Sequence, residues 1–108
     1  MRISLSGAHV PVTDRLRAYA EYRLFTSVAR HHAIVQGADV LVRRRAARHA
    51  QFVCTMVLDL GPAGRVKTQA RGRHPEAAID RAAERAAWLL DRRVRSTAFQ
   101  AETAAFSS

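Results

Sequence analysis

Along this chain the spacing of apolar residues switches between two and about 3.6, and each switch marks a predicted element. Over residues 1–6, Ile3 and Leu5 alternate with Arg2, Ser4 and Ser6, the pattern of a strand with one buried face. Gly7 ends it. Thr13 then offers an N-cap and Asp14 a first-turn negative charge, opening a helix expected over 14–30 with Leu16, Ala20, Leu24 and Val28 on its core arc. After Gly37 a strand is expected over 38–45, with Val40 and Val42 inward and Leu41, Arg43 and Arg45 outward. Residues 46–49 connect it to the clearest strand in the chain, 51–60. There Phe52, Cys54, Met56, Leu58 and Leu60 share one side, and Val53, Thr55, Val57 and Asp59 the other. Gly61-Pro62-Ala63-Gly64 reads as a hairpin turn into a strand over 65–71, with Val66, Thr68 and Ala70 inward and Arg65, Lys67, Gln69 and Arg71 outward.

Pro75 suits the first position of a helix expected over 75–95, because its missing N–H would have no partner there. At about 100° per residue, Ile79, Ala82, Ala83, Ala86, Leu89, Leu90 and Val94 fall on one core-facing arc. Arg81, Arg85, Trp88, Arg92 and Arg95 line the opposite arc, and Asp80, Glu84 and Asp91 gather along one border. The first helix carries a similar flank of Arg15, Tyr19, Tyr22, Arg23 and Arg30. Two helices with one apolar arc each and a sheet with one apolar face predict an α+β fold, a two-layer βαβββα sandwich with both helices on one side of a four-stranded sheet. Double-stranded-RNA-binding domains use a related arrangement. One domain is expected over 1–95, followed by a frayed, flexible tail over 96–108.

Charge adds the first functional constraint. The 108 residues hold 18 Lys and Arg against 9 acidic residues, a formal charge of +9, and that excess points first to nucleic acid and second to an anionic membrane surface. No apolar run approaches the roughly 20 residues of a bilayer span, and the N-terminus lacks a signal-peptide pattern, so a soluble cytoplasmic protein is expected, with no membrane partner. The single cysteine, Cys54, lies in register with Phe52 and Met56 and reads as a core residue. The five histidines have no metal-site spacing, no glycine loop cradles phosphate, and no nucleophile-base constellation can be located. Neither catalysis, a cofactor, a metal nor a small-molecule substrate is expected. Charge segregation on the helices instead suggests that a polyanion lies along them. The candidate RNA-binding residues are Arg15, Arg23, Arg30, Lys67, Arg71, Arg81, Arg85, Trp88, Arg92 and Arg95. Tyr19 and Tyr22 are expected to pack against the sheet edge, and Arg43, Arg44 and Arg45 serve equally well as an edge guard or a phosphate clamp.

Ile3-Ser4-Leu5-Ser6-Gly7, then Val12-Thr13-Asp14-Arg15-Leu16-Arg17, and the helix entry Ala77-Ala78-Ile79-Asp80 carry a resemblance to a known family. The chain resembles the bacterial ribosome hibernation-promoting factors and ribosome-associated inhibitors in their short form, from residue 1 to about 95. The resemblance implies a βαβββα protein that binds the small ribosomal subunit and its 16S rRNA, occludes the channel for messenger and transfer RNA, and keeps idle ribosomes dormant under stress. Family basic positions fall on Arg23, Arg85 and Arg92. The chain departs from the family pattern at His74 and Glu76 around the second helix entry, at His31, and at Trp88, which stands where a basic residue is common. Ribosome pairing would need a separate dimerising factor. Two other readings compete: a homodimeric interaction module built on Leu41, Val53 and Val57 of the outer sheet face, and a free double-stranded-RNA binder.

Overall fold

A computed structural model describes residues 1–45 and 51–107, with side chains through Ser96; the connection expected at 46–49 lies outside the described residues. The elements are β1 (Arg2–Ala8), α1 (Asp14–Val28), β2 (Gly37–Arg45), β3 (Gln51–Asp59), β4 (Arg65–Gly72) and α2 (Pro75–Ser107), with short 3-10 turns at Ala29–His31 and Gly61–Ala63. The βαβββα order and the α+β class expected from periodicity are what the chain adopts. The sheet runs β1-β2-β3-β4, with β1 parallel to β2 and the other pairs antiparallel. A parallel pair needs a crossover, and α1 supplies it.

One face of the sheet meets both helices. Leu5, Val40, Val42, Cys54, Met56, Leu58, Val66 and Ala70 from the strands join Leu16, Leu24 and Val28 of α1 and Ile79, Ala83, Ala86 and Leu90 of α2 in one buried cluster. Each follows the period-two or helical spacing of its own element. The alanines of α2 let that helix approach the sheet closely, and the Thr68 hydroxyl, the buried polar group among them, donates to the carbonyl of Ala82 at 3.1 Å. Burial pushes the Cys54 thiol up to about 12, so it is an inert apolar filler at neutral pH.

Local chemistry sets the ends. The Thr13 hydroxyl accepts from the backbone N–H of Leu16 at 3.1 Å and caps α1. In the β3–β4 hairpin, Gly61 and Gly64 take φ of 60° and 95°, where a side chain would be strained. Gly72, closing β4, has another reason: a Cβ there would lie 2.5 Å from the backbone nitrogen of Ala78 and 2.8 Å from the carbonyl carbon of Ala77. The first turn of α2 rests directly on the strand.

Three expectations are corrected. The last helix does not stop near Arg95; it spans 33 residues to Ser107, because the alanine-rich sequence beyond Arg95 contains no Pro or Gly to end it. Val53, placed on the outer face, is only 1% exposed and so is not a surface for a partner, although Leu41 is exposed. Tyr22 is 65% exposed rather than packed against the sheet, and Tyr19 meets α2 instead of a sheet edge.

Candidate nucleic-acid interface

The two borders of α2 face different neighbours, and this explains much of its charge pattern. Its acidic border faces α1. Asp80 accepts from the Tyr19 hydroxyl at 2.6 Å and from Arg23 Nε at 2.7 Å, Glu84 lies 3.9 Å from Arg23 Nη2, and His31 Nε2 donates to Asp91 at 2.5 Å. Residue numbers rise together along both helices in these contacts, so α1 and α2 pack in parallel. The Tyr19 phenol titrates above its ordinary value because its hydrogen bond to the Asp80 carboxylate favours the protonated form, with burial adding to the effect.

The basic border faces β4, the last strand of the sheet. Arg81 Nη1 donates to the carbonyl of Arg71 at 2.9 Å, Arg85 Nη1 to that of Gln69 at 2.5 Å, and Arg93 to those of Ala63 at 2.8 Å and Arg65 at 3.5 Å. The helix runs opposite to the strand, and the match is geometric. Four helical residues rise about 6 Å and two strand residues about 6.6 Å, so arginines spaced by four meet alternate carbonyls of the edge. Leu89 takes the intervening position and packs on the core instead.

These two sets of contacts have opposite electrostatic outcomes. A carboxylate neutralises a guanidinium, whereas a carbonyl orients it and leaves its charge in place. Arg81 and Arg85 remain exposed and cationic, and Arg65, Lys67 and Arg71 project from the outer face of β4 beside them. Arg92 is exposed and lies over the Trp88 ring, 4.8 Å from its centroid. Together they form a continuous cationic ridge along the β4–α2 margin. Of the candidate residues, Lys67, Arg71, Arg81, Arg85, Trp88 and Arg92 are brought together there.

The expected flank on α1 is not a matching stripe. Arg23 is half-buried and committed to Asp80, which removes it from the free cations; the reason is that the acidic border of α2 turns toward α1. Arg15 is exposed near the start of α1, and Arg30 is exposed in the turn beyond its end. Arg30 and Arg95 both act on Asp91. Two arginines of the β4–α2 margin are not among the residues expected from the sequence, Arg65 and Arg93. The spacing of 81, 85, 89 and 93 was the signal for the second, but a single arc centred on Trp88 leaves it out.

The His31 contact has a pH consequence. The hydrogen bond from His31 holds the Asp91 carboxyl below the usual carboxylate range, with His31, Arg30 and Arg95 charges acting in the same direction. A depressed carboxylate pKa contributes stability above the unfolded value near 3.9, and that contribution is lost as pH falls through the lowered folded value. His31→Ala is expected to return Asp91 toward its ordinary titration, as read from carboxyl chemical shifts during acid titration. An unchanged Asp91 midpoint would assign the depression to the arginines alone.

Residues 3–97 match the family described as sigma 54 modulation protein / S30EA ribosomal protein. Among solved structures, the N-terminal domain of Protein Y from Thermus thermophilus is similar, with TM-score 0.70 and 26% identity over 85% of this chain and 98% of that one. A ribosomal subunit interface protein from Coxiella burnetii shares the fold at TM-score 0.71 and 16% identity, over 85% of this chain and 96% of that one. No curated protein matches the chain in sequence. Among the described residues no helix is long and apolar enough to cross a membrane.

Proposed function

The chain belongs to the sigma 54 modulation protein / S30EA ribosomal protein family, that of the hibernation-promoting factors, and from that premise we propose that it binds the small ribosomal subunit and holds translation idle. The observation that carries the reading is the ridge along the β4–α2 margin, where guanidinium groups are fixed by backbone carbonyls without losing charge. Fixed cations lose less side-chain freedom on meeting phosphate than mobile ones, so the ridge is organised in advance for 16S rRNA. Inhibition follows from occlusion. The folded body fills the channel that messenger and transfer RNA would occupy, and initiating factors must displace it. Such a role is a cytoplasmic one, and a ribosome-dimerising factor is a candidate further partner.

Sedimentation of the purified chain with small subunits over a salt series tests this. Neutralising about six phosphates gives a logarithmic slope of roughly −4 to −5 in affinity against salt. Absence of co-sedimentation at low salt would remove the proposal.

The outer sheet face gives little support to a homodimeric module, since Val53 is buried and Leu41 is flanked in register by Ser6 and Thr55.

A further inference from the structure

Between β4 and α2 lies a groove of about 370 Å³, with Arg65, Lys67, Arg92 and Arg93 around the apolar side chains of Val66 and Leu89. Among the described residues no carboxylate lines it. Asp80, Glu84 and Asp91 of α2 are turned to α1 instead. Arg93 donates to the carbonyls of Ala63 and Arg65 at the groove's end. Arg65, Lys67 and Arg92 gathered on one groove repel one another, and an anion entering it converts that repulsion into attraction.

Arg92 links this groove to an aromatic platform. Its side chain lines the groove, and its guanidinium carbon stands 4.8 Å from the centroid of the Trp88 ring. Trp88 is 59% exposed, on the side of α2 away from the core. A large indole left in water contributes little to folding, but its π surface is suited to stacking, and the Arg92 guanidinium over the ring adds a second planar group to the stack.

We infer that the groove and Trp88 together take one unpaired RNA nucleotide, its phosphate among Arg65, Lys67 and Arg92 and its base stacked on Trp88. This rests on the RNA-binding reading above and narrows it. A base inside a duplex has both faces covered by its neighbours, so the platform selects unpaired segments of folded RNA over helical ones.

Trp88 is the only tryptophan, so intrinsic fluorescence reports on this site directly. The full chain is titrated with a short single-stranded oligoadenylate, with a duplex RNA and with inorganic polyphosphate. The expected result is saturable quenching by the single strand, and binding of the other two without comparable quenching. Trp88→Ala is expected to weaken single-strand binding about tenfold or more, read by anisotropy of labelled RNA, and Trp88→Phe to restore much of it. Equal quenching by polyphosphate would reduce the groove to a general anion site, and equal quenching by duplex would remove the selectivity; either overturns the inference. A protein that sediments with small subunits but ignores the single strand loses this inference alone. One that does neither loses the RNA-binding reading as well.

Discussion

Arg85→Glu combined with Arg92→Glu is expected to weaken binding to small ribosomal subunits by roughly a hundredfold to ten-thousandfold. Each arginine offers a charge-assisted contact worth about 1.5–3 kcal/mol, and a tenfold loss corresponds to about 1.4 kcal/mol, so two lost contacts span that range. Reversal also sets two carboxylates against phosphate. The fold should survive, because both side chains are exposed and Arg85 contributes one hydrogen bond, to Gln69, worth about 1 kcal/mol. Co-sedimentation at fixed salt, with a thermal melt of the same preparation, separates the two effects. Unchanged binding by a folded double variant would move the interface away from the β4–α2 margin.

Gly72→Ala is expected to destabilise the domain by about 3 kcal/mol, near the upper end for an added methyl group in a packed site. The usual relief for overpacking is a rotamer change in a neighbour, and here it is unavailable. The added carbon would meet the backbone of Ala77 and Ala78, so the start of α2 has to lift from β4. Lifting it also disturbs Ala78, Ile79 and Ala82, which are fully buried. For a domain of about this size the melting temperature should fall by roughly 15 °C. A shift of only a few degrees would show that the entry to α2 is pliable, and that its closeness to β4 contributes little.

The strands and the core of this protein are legible in its sequence because burial there obeys a local rule. Val40, Val42, Met56, Leu58, Val66 and Ala70 fall on every second position of their strands, and each is buried. What failed were properties that depend on a neighbour distant in the chain. Val53 sits on the outward side by parity, yet it is buried between Arg43 and Arg71 in register, whose aliphatic stems suit the flanks of such a position. Periodicity along one strand cannot report that. Arg23 shares its helix flank with Arg15 and Arg30, and only the docking of α1 on α2 reveals that Asp80 is its partner.

The charge segregation on α2 was visible at once, but its cause was not. A helix wedged between an arginine- and tyrosine-bearing helix and a strand edge rich in carbonyls needs acids on one side and guanidinium groups on the other. Folding alone therefore accounts for the separation. The functional signal is narrower: it lies in the exposed cations whose charge remains after those contacts are made, Lys67, Arg71, Arg81, Arg85 and Arg92, the last over the exposed indole of Trp88.

The guanidinium ladder on β4 has a further consequence for the protein away from any ribosome. An outermost strand is ordinarily a template on which another chain can add, and proteins that are stored in quantity are vulnerable to such growth. Here the carbonyls of Arg65, Gln69 and Arg71 are already engaged by α2, and an incoming strand would have to evict long, charged side chains before forming its first rung. Many copies of this protein can thus share a concentrated solution without polymerising through that margin.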